Sequence, residues 1–286
     1  MPGAADATPN PTPSDRAAGA GAEPAGADAS RVPLAKIVVV GLAAGFLSGL
    51  FGVGGGVLMV PALVIVLAMG QRLAHGTSLA AIVPIALAGV VGYALEGKVD
   101  WAASLLLIVG SAGVGARIGT HLLHVVPQRA LAIAFACVML LTAARMVIDT
   151  GDATGRPDLT LWTALALVVT GVVAGTTAGL LGVGGGVVMV PAMTVFLGIP
   201  AAVAKGSSLA VIIPTALVGT QRNVRRRNAD LRVAAIVGLS GVLSSFLASQ
   251  ISVDLDEQAS DWMFAALLVF VAVKMLWDNR HPLPAH

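Results

Sequence analysis

The stretch GLFGVGGGVLMVPA at residues 49–62 returns as GLLGVGGGVVMVPA at residues 179–192. Each copy sets a run of glycines inside an apolar region, although glycine costs a helix about 1 kcal/mol per residue relative to alanine. Working outward, a shift of 130 residues aligns Gly41 with Gly171 and runs without a gap to Asp100 and Asp230. About 27 of those 60 positions are identical, which marks an internal duplication. The downstream stretches, 101–148 and 231–277, keep the same apolar rhythm. Repeats of this kind are a common plan for transporters.

Composition sets the class. The 286 residues are 57% hydrophobic and 11% charged, with a mean hydropathy of +0.89. A water-soluble domain carries about 25% charged residues, so this chain has too little polar surface for water and belongs in a bilayer. A net charge of +2 implies no nucleic-acid partner. The single Cys137, inside AFACVMLL, is expected to fill space in the core, since one cysteine makes no internal disulfide and no CxxC metal or redox pair is present. Residues 1–33, rich in Pro, Ala, Gly and Ser, lack the basic and apolar regions of a signal peptide and are expected to be a disordered tail.

Apolar segments fall at 34–51, 57–69, 76–95, 101–120 and 128–148, then at 159–181, 187–199, 206–222, 231–251 and 261–277. The segment at 57–69 makes a helix of roughly 20 Å, short of the ~30 Å hydrocarbon core. The glycine stretch is therefore expected to join shortened or tilted helices in a hairpin that crosses or re-enters. The expected fold is an all-α polytopic membrane protein of about 8–10 membrane segments. It comprises a first repeat at 34–148, a linker at 149–158, a second repeat at 159–277 and a short tail at 278–286. Five crossings per unit, or three with a re-entrant hairpin, are both odd, so the second copy is expected upside down. QRNVRRRNADLR at 221–232 holds five arginines and marks the cytoplasmic side. IDTGDATGRPD and SVDLDEQASD are acidic and fit the outer side. Arg31, Lys36, Lys274 and Arg280 put both termini inside.

Gly41, Gly45 and Gly49, like Gly171, Gly175 and Gly179, recur every fourth residue and suit close helix contact in lipid. The second set, Gly52 with Gly54, Gly55 and Gly56, and Gly182 with Gly184, Gly185 and Gly186, points elsewhere. Irregular backbone at membrane depth survives only where protein or a wet cavity satisfies its amides, and free N–H groups at a helix start favour anions. Pro61 and Pro191 are expected to kink the following helix. A tight packing turn without a ligand is the plainer alternative. Nucleotide binding is excluded, because neither a Walker sequence nor a complete GxGxxG within a βαβ pattern is present.

AHGTSLAAIVP at 74–84 and AKGSSLAVIIP at 204–214 form a second pair. Each sets a basic residue (His75, Lys205), a glycine (Gly76, Gly206) and two hydroxyls (Thr77 and Ser78; Ser207 and Ser208) at the expected start of an apolar helix. Simple capping by the hydroxyls is one reading. The other is that cation, hydroxyls and fresh amides gather on an anion, the two copies facing each other near the midplane. Lys205 is equally able to snorkel to an interface.

The paired glycine and A(H/K)G(T/S)SLA stretches, in tandem over about 37–277, resemble the TauE/SafE family of sulfite exporters and related permeases. The resemblance implies a polytopic inner-membrane transporter of sulfur-containing anions such as sulfite or organosulfonates, with the two motif regions as pathway. Arg117, in GSAGVGARIG, has no counterpart in GLSGVLSSFLAS, so a contact there would be unsymmetrical. A dianion leaving an inside-negative cell gains roughly 4–5 kcal/mol per 100 mV, so export needs no coupling ion, and the spans hold no Asp or Glu away from their ends. Two alternatives stand beside outward anion transport: a proton- or cation-coupled importer, with His75 as the titrating group, and a non-transporting membrane assembly protein. No enzyme signature such as HExxH is present, and His121 and His124 fit the cytoplasmic interface. No metal or cofactor is implied. Lipid and a small anion are the implied partners, and a homo-oligomer is compatible with both.

Overall fold

The computed structural model describes residues 33–115, 160–181 and 184–280, with isolated helical positions between 133 and 148. The expected tail up to residue 32, much of the segment at 128–148, the linker at 149–158 and the last six residues lie outside the described residues. So do Arg117, His121, His124 and Gly182.

Among the described residues all regular structure is helical. In order these are α1 (Leu34–Phe51), α2 (Gly56–Val66), α3 (Gln71–Leu95) and α4 (Trp101–Ile108), which continues as a π-helix over Val109–Gly115. Then come α5 (Leu161–Leu181), α6 (Gly186–Pro191) with a π-helical continuation over Ala192–Phe196, α7 (Ala201–Arg225), α8 (Leu231–Asp254) and α9 (Glu257–Arg280). Four of them, α1, α3, α7 and α8, are long and apolar enough to cross a membrane. α2, with 11 residues, is about 16 Å long at ~1.5 Å per residue and cannot cross alone.

The starts of α4 and α8 follow from two aspartates at equivalent positions. Asp100 accepts the N–H groups of Ala102 and Ala103, both at 3.0 Å, and Asp230 accepts those of Arg232 at 2.9 Å and Val233 at 3.0 Å. Each satisfies two amides that a helix start leaves open.

The glycine stripe of α1 lies against α8. A Cβ on Gly41, Gly45 or Gly49 would stand 1.9 Å from Ser240 Oγ, 2.2 Å from the Gly241 carbonyl and 2.1 Å from the Ser245 carbonyl. Residue numbers rise together along the contact, so the two helices run parallel. Without a hydrophobic drive between helices in lipid, such backbone approach supplies the packing. α5 and α4 repeat the arrangement, with Gly171 on the Leu107 carbonyl, Gly175 on Ser111 and Gly110 on the Val168 carbonyl. Each copy's first helix thus lies on the other copy's helix. Two apolar cores follow, and both draw on both copies. One joins Val40, Leu63 and Ile85 to Val233 and Val237, the other Leu107 to Leu167, Met189 and Phe264.

The contacts also order the ends. The parallel α1 and α8 start together, and Gly76 near the start of α3 meets the Asn228 carbonyl just before α8. One end of the bundle therefore gathers exposed Lys36, Arg72, Arg222, Arg225, Arg226, Arg227 and Arg232. The other end holds the starts of α4, α5, α7 and α9. There Trp101, Trp162 and Trp262 stand exposed, each at or near the start of its helix, as interfacial tryptophans do. Cys137 is exposed rather than core-filling. An apolar thiol facing outward suits a protein whose surroundings are themselves apolar.

Candidate functional site

Both glycine stretches form left-handed turns that end one helix and start the next. Gly54 and Gly55 have φ of 81° and 69°, and Gly184 and Gly185 have 83° and 80°, a region closed to most other residues. Gly55 and Gly185 stand at the starts of α2 and α6. The two turns meet. A Cβ on Gly186 would stand 2.8 Å from both the Gly52 carbonyl and Val53 Cα.

Apolar side chains, rather than a wet cavity, surround the meeting point. Gly54 lies against Ile212 and Ile82, and Gly184 and Gly186 lie against Ile212. Both isoleucines are fully buried, and they occupy equivalent positions in SLAAIVP and SLAVIIP. The cleft beside the first turn is lined by Leu47, Val53, Gly55, Val57, Leu58 and Leu267, none of them polar in its side chain. Gly54, Gly55, Gly56, Gly184, Gly185 and Gly186 are all buried. The turns converge among apolar side chains.

The second motif sits differently from its expected place. α3 starts at Gln71 and α7 at Ala201, with Gly70 and Pro200 supplying the first carbonyls, to Ala74 and Ala204. His75 and Lys205 are therefore already in the second turn, where the amides bond within the helix and are not fresh. The hydroxyls instead reach across to the other copy. Thr77 Oγ1 accepts the Asp230 N–H at 2.9 Å, and Ser207 Oγ accepts the Asp100 N–H at 2.8 Å. The glycines between do the same, since a Cβ on Gly76 would stand 1.8 Å from the Asn228 carbonyl and one on Gly206 2.2 Å from the Lys98 carbonyl.

This reciprocity separates the two motifs rather than joining them. Gly206 rests on Tyr93 at the far end of α3, about 25 Å from Gly76 at ~1.5 Å per residue. His75, half-buried, belongs to the basic end, and Lys205 belongs to the tryptophan end. Ser78 and Ser208 are buried within the same two helices.

Lys205 does not snorkel. It is 1% exposed, and its Nζ donates to Ser252 Oγ on α8 at 3.3 Å and to Ser260 Oγ on α9. Ser252 in turn donates to the Leu50 carbonyl at 2.9 Å, Tyr93 donates to the Gly49 carbonyl at 2.8 Å, and Ser208 donates to the Gly52 carbonyl. The broken end of α1 leaves these carbonyls without partners in its own helix. Side chains from α3, α7 and α8 satisfy them, and the amino group of Lys205 stands behind, at the negative end of the helix dipole. The backbone of Lys205 also lies against Gly52, whose Cβ would stand 2.5 Å from Lys205 Cα.

Ile82, Ile212, Tyr93, Ser252, Ser260 and Ser48 escaped notice in the sequence. The isoleucines carried a signal, being identical four residues after Ser78 and Ser208. Tyr93, the only tyrosine, carried another. Ser252 and Ser260 lie outside the strongly matched part of the repeat.

Comparison with known proteins places the chain in a family. The family described as sulfite exporter TauE/SafE matches residues 12–146 and 167–286. A probable membrane transporter protein, YunE, of Bacillus subtilis (strain 168) is 28% identical over 207 residues, covering 64% of this chain and 76% of its own length. A probable membrane transporter protein of Xylella fastidiosa (strain 9a5c) is 28% identical over 245 residues, covering 82% and 92%. YdhB of Bacillus subtilis, another probable membrane transporter protein, is 36% identical over 93 residues, covering 32% and 38%. No solved structure matches. The chain belongs to the TauE/SafE family of membrane transporters.

Proposed function

We propose that the chain carries small oxyanions, sulfite or an organosulfonate, outward across a bacterial cell membrane by alternating access. The reading rests on the convergence of two glycine turns from duplicated halves, each at a helix start, at one buried point. Helix starts favour negative charge, and transporter sites form where broken helices of two repeats meet.

Equivalent helices of the two copies begin at opposite ends of the bundle, α1 at the basic end and α5 at the tryptophan end. α1–α2 and α5–α6 each return to the end from which they start. This supports two inverted repeats, 34–148 and 159–277, with re-entrant hairpins. The arginine-rich end is then cytoplasmic and carries both termini. Its positive charge draws anions toward the inner mouth. Glu96, Asp254 and Asp256 are exposed at the other end and favour release. The membrane potential adds roughly 4–5 kcal/mol per 100 mV for a dianion.

In this scheme the described arrangement is the closed path, with Ile82 and Ile212 as its barrier. Gly54, Gly55, Gly56, Gly184, Gly185 and Gly186 offer their amides when either side opens. His75 with Ser78 serves the inner mouth, and Lys205 with Ser208 the outer. Thr77 and Ser207 brace the path. Labelled sulfite or organosulfonate flux in vesicles tests this, comparing wild type with Lys205→Ala combined with Ser208→Ala. Flux should be lost in the variant; unchanged flux removes those residues from the mechanism.

A further inference from the structure

We infer that Ser48 is a substrate ligand, its hydroxyl joining the amides at the start of α2 to hold one oxyanion group at the first glycine turn. This rests on the anion reading above and deepens it.

Ser48 is fully buried in the last part of α1. Its Oγ has no hydrogen-bond partner among the described residues, although a serine in a helix has its own preceding turn within reach. Orphaned buried hydroxyls are rare, and each calls for a cause such as an absent ion or ligand. Ser48 lies beside the turn, its Cβ 3.4 Å from the point where a Cβ on Gly55 would stand. Gly55 is the residue from which α2 starts, and its carbonyl already takes the Leu58 and Met59 amides. The amides of Gly56 and Val57 are the next N–H groups at that start. A donor hydroxyl beside the positive end of an 11-residue helix is a receptor for a sulfite or sulfonate oxygen.

The second copy keeps the geometry without the chemistry. Gly185 stands 3.4 Å, by the same measure, from the Cβ of Ala178, the equivalent of Ser48. The site is therefore one-sided, on the turn that also carries Lys205 against Gly52.

Full-length wild type, Ser48→Ala and Ser48→Cys are compared by sulfite-dependent thermal shift in detergent and by sulfite flux in vesicles, each against sulfite concentration. A hydroxyl kept only for folding would leave Ser48→Ala less stable without sulfite. A ligand hydroxyl leaves that variant as stable as wild type or more so, because an orphan group has been removed. Both variants should then need about tenfold more sulfite for half-maximal shift and flux, equivalent to one lost charge-assisted hydrogen bond. Equal sulfite dependence in all three proteins, or a destabilised sulfite-free Ser48→Ala, overturns the assignment of Ser48 alone. A wild type that responds to neither sulfite nor methanesulfonate overturns the anion reading and this inference with it.

Discussion

The backbone N–H of Asp230 donates to the hydroxyl of Thr77 at 2.9 Å, across 153 residues of chain. Its mirror in sequence, Asp100 to Ser207, closes at 2.8 Å. Each hydroxyl anchors the residue that caps the other copy's helix, so the pair holds the two copies together. Thr77→Val leaves a part-buried amide without its acceptor and should lower stability by about 1 kcal/mol or more. Ser207→Ala should act alike, and Thr77→Ser should retain most of the bond. Thermal unfolding in detergent checks the order. Flux per folded molecule should stay near wild type in Thr77→Ser, as expected of a brace.

Gly76 and Gly206 fit because they have no side chain. A methyl at either would enter a carbonyl of the opposite copy, and no flexible group is there to yield. Gly76→Ala and Gly206→Ala should each cost about 2–3 kcal/mol or more and reduce the yield of folded protein. Gly70→Ala is the control, since nothing among the described residues stands within 4 Å of that position and its backbone is not left-handed. A fold that tolerated all three equally would contradict the close crossing of the copies.

If the hairpins re-enter and the halves are inverted, residues 96–98 and 225–228 face opposite solutions. In a Cys137→Ala background, single cysteines at Lys98 and at Arg226 should label from opposite sides with an impermeant maleimide. Arg226→Cys should react only from the cytoplasm, and Lys98→Cys only from outside. Lys36→Cys should follow Arg226→Cys. Labelling of both loop positions from one side would end the inverted arrangement.

Much of this organisation was legible because it is written in periodicity. The four-residue glycine spacing foretold the close contacts of α1 and α5, and the glycine runs foretold the breaks. The depth of the second motif was not legible. Gln71 and Arg72 look like a loop, yet the Gly70 carbonyl starts α3 before them, which moves His75 and Thr77 one turn inward. A motif near one end of a 25-residue helix, copied into an antiparallel partner, must appear at opposite ends of the pair. Nor could spacing show that Ile82 and Ile212 fill the centre, because an apolar residue on an apolar helix carries no periodic signal. Ser252 and Ser260 became visible only through the side chain of Lys205.

Ile212 supplies the nearest side-chain atoms to both Gly54 and Gly184, whereas Ile82 is among the nearest at Gly54, and this asymmetry makes a sharper prediction than the barrier alone. Ile212→Val removes one methyl(ene) from the meeting point and should cost about 0.5–1.5 kcal/mol of stability. If the anion passes there, that loss also widens the path, and flux of a larger organosulfonate should rise relative to sulfite. One methylene of fit is worth roughly tenfold or more in discrimination, so the ratio of the two rates should move several-fold. Ile82→Val should move it less, since only one turn would gain room. Paired flux measurements in the same vesicles give the ratio directly and cancel differences in the amount of folded protein. Two variants that lose stability yet keep the wild-type ratio would place the path away from this pair of side chains.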